Sequence, residues 1–81
     1  MIASPRNAPL LARLKAVRLE LARELGVPAY TVFHDRTLAE MAETRPGTLD
    51  ALSRLHGVGA AKLEKFGVRF LQALAAHGEL S

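Results

Sequence analysis

A turn built on two glycines, Gly57 and Gly59, is the first feature of this sequence that could do chemistry. Gly57 is placed to end a short helix with positive φ, a backbone conformation that glycine adopts without cost. Gly59 is placed as the N-cap of the next helix. The start of a helix leaves backbone N–H groups free, and these groups attract phosphate. The turn therefore indicates either a phosphate-binding site or a place where two helices pack closely.

Basic residues on the helix after this turn extend the same hypothesis. Lys62, Lys65 and Arg69 are spaced at i, i+3 and i+7, which places them in one row beside the apolar face. Two interpretations are open: the row is a solvated helix face, or it is a second part of a phosphate-binding surface.

Tyr30 is the only tyrosine of the chain and lies in a connector with the sequence VPAYTVFH, at residues 27–34. We expect Val32 and Phe33 to anchor this connector to the core, with room for a single turn of helix. An exposed tyrosine ring can stack on a nucleic-acid base. A ring at the edge of the core would instead keep only its hydroxyl in water. Both interpretations follow from the residue type.

Motifs that would indicate an enzyme or a metal centre are missing from the sequence. The histidines, His34, His56 and His77, form no metal-binding pattern, and neither a Walker loop nor a nucleophile elbow occurs. The chain has no cysteine, so it offers neither a disulfide nor a thiolate ligand. A domain of this size rarely has room for a catalytic pocket. We therefore expect no catalytic residue, no metal and no cofactor in this domain.

Hydrophobic periodicity predicts an all-α, compact single domain, and no strand pattern competes with it. We expect a tail or linker at residues 1–8 and a helical domain at residues 9–81. The predicted helices are 9–25 ended by Gly26, 36–44 capped by Asp35, 49–56 capped by Thr48, and 60–77 ended by Gly78. The apolar residues form one stripe or face on each helix: Leu10, Leu14, Val17, Leu21 and Leu25 on the first, the inward-facing Leu38, Met41 and Ala42 on the second, Leu49, Leu52 and Leu55 at every third position on the third, and Leu63, Phe66, Phe70 and Leu74 on the last. Gly67 lies at the edge of the last helix's apolar face, where it would let a neighbouring helix approach.

The charge balance gives a mild bias toward an acidic partner such as nucleic acid. The chain has 81 residues, with eleven basic and eight acidic side chains and a net charge of +3. No apolar run approaches the roughly 20 residues of a membrane span, and the N-terminal residues lack the apolar core of a signal peptide. These features favour an intracellular protein without a membrane partner.

Three segments of the sequence together resemble the HRDC domain, the helicase-and-RNase-D C-terminal domain. They are VPAYTVFHDRTL at 27–38, EMAETRPGTLDAL at 40–52 and LHGVGAAKLEKFG at 55–67. The similarity spans residues 10–77 and is greatest to the version found at the C-terminus of bacterial RecQ DNA helicases. The glycine turn alone would not be specific, because helix–hairpin–helix DNA-binding modules share it.

This resemblance implies a bundle of about five helices, one of them short, that acts as an accessory domain. Its parent would be an ATP-dependent 3'-5' DNA helicase of DNA repair and recombination. ATP and a divalent metal would belong to other domains of that helicase and not to this one. The implied partner is single-stranded or branched DNA, bound weakly by a monomeric domain. The implied location is the bacterial cytoplasm, at the nucleoid.

The resemblance also suggests which residues would contact DNA. Tyr30 matches a connector position where an aromatic residue of related bacterial domains contributes to single-strand binding. The nearby cations that would hold phosphates are Lys15, Arg18 and Arg36. The row formed by Lys62, Lys65 and Arg69, with the glycine turn, would be a second surface.

An alternative follows from the surface of the first helix. Ala16 and Leu19 are uncharged where a dense basic patch would carry cations, and Glu20 and Glu24 add opposing charge. The domain would then dock on another domain of its helicase, or on a partner protein, with little intrinsic DNA binding. A remoter alternative is the RNase D relative, in which the same fold would help to position RNA.

Overall fold

The computed structural model describes residues 5–80, with side chains for residues 6–77, and its described residues contain helices and no strand. The four α-helices are α1 (Ala8–Leu25), α2 (Asp35–Thr44), α3 (Leu49–Ser53) and α4 (Ala60–Leu80). Two short 3-10 helices occupy Pro5–Asn7 and Ala29–Thr31. The predicted all-α bundle is confirmed, and the Ala29–Thr31 turn is the short helical turn expected in the connector.

Helix α1 buries the predicted apolar stripe, formed by Leu10, Leu14, Val17 and Leu21. Gly26 ends the helix in the left-handed conformation, with φ of 67°, as predicted. The prediction that Leu25 faces the core is wrong: its side chain is 55% exposed. Leu25 lies in the last helical turn, beside an exposed loop, where the core no longer covers the helix.

Val32 and Phe33 anchor the connector to the core as expected, since both residues are fully buried. The predicted capping role of Asp35 is wrong. His34 is the N-cap residue of α2, and Asp35 is the first residue of the helix. Tertiary structure explains the difference, because the Asp35 carboxylate pairs with Arg18 of α1 instead of capping its own helix.

Helix α3 ends at Ser53 rather than at residue 56, although Thr48 caps its start as predicted, accepting a hydrogen bond from the Ala51 N–H at 3.1 Å. Gly57 therefore lies in the loop between α3 and α4, with φ of 85°, instead of directly after a helix. Gly59 precedes α4 and accepts a hydrogen bond from the Leu63 N–H at 2.9 Å, which confirms its place as N-cap.

Helix α4 runs through Gly78, so the prediction that this glycine ends the helix is wrong. A glycine lowers helix propensity by about 1 kcal/mol but does not block the helical conformation. Gly67 provides the close approach expected of it: a Cβ built there would lie 2.8 Å from the Leu49 Cδ2 of α3.

Three phenylalanines from the connector and α4 form the centre of the core. The Phe33 ring meets the Phe70 ring edge to face, with centroids 5.1 Å apart, and the Phe66 ring at 6.0 Å. Such pairs add about 0.5–1.5 kcal/mol to the stabilisation from burial alone. The connector is therefore part of the core, with one side packed and the other free.

The segment predicted as a tail is folded from residue 5 onward. Asn7 is buried, and its Nδ2 donates to the Glu43 Oε2 of α2 at 3.0 Å. Its Oδ1 accepts from the Arg45 Nη2, also at 3.0 Å. These two contacts attach the beginning of α1 to the end of α2, and the predicted tail at residues 1–4 lies outside the described residues.

Candidate nucleic-acid interface

Tyr30 lies on a short, well-anchored turn with its ring in solvent. The Thr31 N–H and hydroxyl both donate to the Pro28 carbonyl, at 3.1 and 2.7 Å. The Val32 N–H donates to the Ala29 carbonyl at 3.1 Å, and the buried Val32 and Phe33 follow directly. The Tyr30 side chain is 60% exposed. Of the two interpretations of this tyrosine, the structure shows the exposed ring.

Arg18 links three elements at the base of this turn. Its Nη1 donates to the Phe33 carbonyl at 3.0 Å and lies 2.7 Å from the Asp35 Oδ1. The Arg18 side chain is only 13% exposed. Its guanidinium therefore ties α1 to the connector and to α2, which is a structural task that the sequence did not reveal when Arg18 was predicted as a phosphate contact.

Asp35 titrates under the influence of this guanidinium. The hydrogen bond from Arg18, followed by the charge of Arg18, lowers the pKa of the Asp35 carboxyl below its usual value. The charges of Lys15 and His34 lower this pKa further by smaller amounts, while partial burial acts in the opposite direction. The folded state therefore holds Asp35 ionised throughout the neutral and mildly acidic range.

The variant Asp35→Asn should lose a pH-dependent part of the stability. A lowered pKa in the folded state stabilises the protein above the unfolded-state pKa, and this contribution disappears as pH falls through the folded-state value. Because the Asp35 side chain is 70% exposed, we expect a loss of at most about 1 kcal/mol near neutral pH. Urea unfolding from neutral pH down to pH 3 measures it, and the difference from the unmodified domain should shrink below about pH 4.

Asp50→Asn is the matched control for that experiment. Asp50 forms an ion pair with Arg54 at 2.8 Å, but both side chains are more than 70% exposed. We expect a change of only a few tenths of a kcal/mol. Equal losses in the two variants would contradict the special role of the largely buried Arg18 side chain.

Lys15 and Arg36, which were predicted to hold phosphates near Tyr30, remain accessible. Both residues are exposed. Arg36 lies beside Glu40, with 3.8 Å between its Nε and the Glu40 Oε1, and its side chain is 61% exposed. An ion pair of this length and exposure contributes little, so the guanidinium can exchange its partner for a phosphate.

The three residues of the basic row on α4 make different contacts. The Arg69 Nη2 lies 3.3 Å from the Glu24 Oε2 and 3.5 Å from the Glu20 Oε2, both on α1. The Lys62 Nζ lies over the Phe33 ring, 5.8 Å from its centroid. Lys65 is exposed, and none of the hydrogen bonds or ion pairs between the described side chains involves it. The three residues therefore do not present one continuous basic surface.

Close packing against Thr37 explains why a glycine is needed at position 57 of the glycine turn. A Cβ at this position would lie 2.6 Å from the Thr37 Oγ1, which donates to the His56 carbonyl at 3.0 Å. Gly59 has open space at the corresponding position. Phosphate binding by the two glycines stays a prediction.

One residue of this face was missed from the sequence. The His34 ring lies nearly parallel to the Tyr30 ring, with centroids 6.1 Å apart and 21° between the planes. The spacing of four residues between two ring-bearing side chains was the available signal, but it has meaning only once the fold of the connector is known.

The chain's described residues also hold no group of three histidine, cysteine, aspartate or glutamate side chains arranged to bind a metal ion. Within the same part of the chain, no helix is long and apolar enough to cross a membrane.

Comparison with known proteins identifies the family. The model of the HRDC domain matches residues 7–74. The chain is 43% identical to the ATP-dependent DNA helicase RecQ of Bacillus subtilis over 75 residues, which is 93% of this chain and 13% of that protein. It is 49% identical to the ATP-dependent DNA helicase UvrD2 of Mycobacterium tuberculosis over 63 residues, 78% of this chain and 9% of that protein. The chain thus spans about an eighth of the length of the RecQ relative.

A solved structure shows the same fold. HRDC domain 3 of the D. radiodurans RecQ superposes with a TM-score of 0.84 at 37% identity, covering 86% of this chain and 92% of that one. The resemblance carried by the connector and the glycine turn is therefore confirmed over nearly the whole folded length, and the chain belongs to the HRDC domain family, in the form that RecQ-type helicases carry.

Proposed function

We propose that this domain binds single-stranded DNA weakly, as a monomer and without sequence preference, and so adjusts the affinity of its parent helicase for single-stranded or branched DNA. The relatives are named ATP-dependent DNA helicases, and this chain corresponds to a small part of each. ATP, its divalent metal and strand separation would belong to other parts of such a 3'-5' helicase, acting in DNA repair and recombination at the bacterial nucleoid. The observation that carries the proposal is the exposed Tyr30 ring on its anchored turn.

The chemistry of this face suits single-stranded DNA. Stacking of a base on an aromatic ring contributes roughly 1–3 kcal/mol and tolerates any base. Lys15 and Arg36 add two accessible cations, and each neutralised phosphate makes binding more sensitive to salt. One ring and two cations support dissociation constants of roughly micromolar to millimolar size. An affinity of this size suits a module that assists a larger DNA-binding enzyme.

The α4 row is a weaker candidate for the same task. Glu20 and Glu24 already neutralise Arg69, so a phosphate would have to displace two carboxylates. Lys62 lies over Phe33, which leaves Lys65 as the one accessible cation of the three. These contacts favour the connector as the DNA-binding face.

Titration of the ¹⁵N-labelled domain with a single-stranded oligonucleotide tests the proposal. At low salt we expect amide shifts at Tyr30, Lys15 and Arg36 that fade at higher salt. Tyr30→Ala should weaken binding about tenfold, since it removes the stacking surface, whereas Tyr30→Phe should stay within about twofold because it keeps the ring. A silent spectrum at the highest DNA concentration would refute DNA binding by this domain.

A pair of lysine variants serves as the control for location. Lys15→Ala should lower the slope of log affinity against log salt concentration by about one, the value for one phosphate contact. Lys65→Ala should leave this slope unchanged. If Lys65→Ala has the larger effect, α4 and not the connector is the DNA-binding face.

A second candidate function is docking on another domain of the helicase or on a partner protein. Apolar side chains on the last part of α1 and the loop after it are exposed: Leu19 at 44%, Leu25 at 55% and Val27 at 38%. Exposed apolar groups of this kind mark contact surfaces when they are contiguous. Removing the domain would then change the DNA preference of the helicase, although the isolated domain would not bind DNA.

A further inference from the structure

We propose that His34 is a second DNA-binding residue of this face: its ring and the Tyr30 ring form one stacking platform for a base of single-stranded DNA, and its imidazolium attracts the adjacent phosphate. This inference rests on the proposed function of the Tyr30 face and deepens it. It predicts that binding strengthens as pH falls through the range in which histidine gains a proton.

The geometry of the two rings supports a shared platform. Their centroids lie 6.1 Å apart with 21° between the planes, so the rings are nearly parallel and stacked. Tyr30 and His34 are both exposed. Val32 and Phe33, which lie between them in the chain, are fully buried in the core. The buried pair holds the backbone of both ring-bearing residues in place. A base can extend this stack of two rings, and the second ring supports the ring on which the base lies.

The backbone of His34 is fixed by the start of α2. His34 is the N-cap residue, with φ of −73° and ψ of 159°, and its carbonyl accepts from the Leu38 N–H at 3.2 Å. Its side chain makes no capping hydrogen bond. The imidazole is therefore not needed to hold the helix, and its removal should leave the fold intact.

The charges around His34 give the pH dependence its sign. Asp35 follows it in the chain, the charges of Lys15 and Arg18 on α1 act on that Asp35 carboxylate, and Arg36 lies one residue beyond Asp35. Arg18 holds the Asp35 carboxylate ionised, so Asp35 keeps a constant charge between about pH 5 and 8, where histidine ordinarily titrates. Protonation of His34 adds a cation to a face that meets a polyanion. The affinity for DNA must therefore rise as pH falls.

The chain supplies its own reporter for this site. It contains one tyrosine and no tryptophan, so its tyrosine fluorescence comes from Tyr30 alone. Titration of the whole chain with oligothymidylate should quench this emission as a base stacks on the ring. Free N-acetyltyrosinamide in the same DNA solutions corrects for absorbance. We expect binding that is about fivefold tighter on the acid side than on the alkaline side of the histidine range.

Two substitutions separate the ring from the charge. His34→Ala should weaken binding about fivefold at alkaline pH and remove the gain on acidification. His34→Phe should keep the alkaline affinity of the unmodified chain, because it keeps a ring, but lose the gain on acidification. His77→Ala is the matched control, since it removes a histidine from the last turn of α4, and it should behave as the unmodified chain does. Thermal unfolding monitored by circular dichroism verifies that each variant is folded.

The outcomes distinguish this inference from the proposed function. If DNA quenches Tyr30 in the unmodified chain but His34→Ala binds DNA as tightly as the unmodified chain does at both pH values, the platform is refuted and the DNA-binding function stands. A gain on acidification that persists in His34→Ala or His34→Phe assigns the charge to another group and also refutes the inference. If the unmodified chain shows neither quenching nor amide shifts, both proposals fail.

Discussion

Replacing Phe33 with alanine will lower the free energy of unfolding by about 3–5 kcal/mol, because it opens a cavity at the centre of the core. Phe33 is fully buried, its ring contacts Phe66 and Phe70 edge to face, and Lys62 lies over its face. The substitution removes the ring and with it all of these contacts. A domain of this size has a total stability on the order of 5–10 kcal/mol, so the variant will be largely or wholly unfolded on warming.

Chemical denaturation followed by circular dichroism measures this loss. Phe33→Leu is the matched control, because leucine fills much of the space and should cost less than about 2 kcal/mol. The backbone contact of Arg18 to the Phe33 carbonyl remains in both variants, so the difference between them reports the ring alone. A loss below about 1 kcal/mol for Phe33→Ala would contradict the central place of this residue in the core.

Replacing Gly57 with alanine will cost about 2–3 kcal/mol of stability, the second largest effect we expect. A non-glycine residue at φ of 85° is strained by about 1–2 kcal/mol. The new Cβ would also lie 2.6 Å from the Thr37 Oγ1 and would disturb the hydrogen bond from this hydroxyl to the His56 carbonyl. Loss of such a bond costs roughly 1 kcal/mol.

Two other glycines separate these contributions. Gly26 also has positive φ, 67°, but open space at its Cβ position, so Gly26→Ala should show the backbone strain without the collision. Gly59 has neither feature, and Gly59→Ala should cost only about 0.5 kcal/mol as an altered N-cap. Equal losses of stability for Gly57→Ala and Gly26→Ala would show that the Thr37 side chain moves away from the new Cβ without destabilising the fold.

A double-mutant cycle isolates the contact with Thr37. In a Thr37→Ala background the hydroxyl is gone, so Gly57→Ala should cost only its backbone strain. The difference between the two backgrounds, about 1 kcal/mol, is the coupling between the residues. Thermal or chemical unfolding of the four proteins provides it, and additivity would rule out the coupling.

Most of the local structure could be predicted from the sequence because it depends on residues within one or two helical turns. The buried stripe of α1, the Thr48 cap and the left-handed Gly26 are set by spacing and by backbone preference. The predicted ends of α3 and α4 are wrong, because helix boundaries depend on contacts that compete with propensity. Asn7 was assigned to a tail because its partners, Glu43 and Arg45, lie more than 35 residues away.

In the candidate site, too, the sequence predicts the local features and the tertiary structure decides the contacts between distant residues. By itself the sequence determined a helical HRDC domain, its core stripes, its glycine turns and a connector that carries one tyrosine. Only the tertiary structure decided that the Tyr30 ring is exposed beside His34. It also decided that Arg18 is held by Phe33 and Asp35 and that Arg69 is held by Glu20 and Glu24 of another helix. Spacing along a helix states which side chains share a face, but the charge a cation offers to DNA depends on the carboxylates that folding brings to it from distant positions.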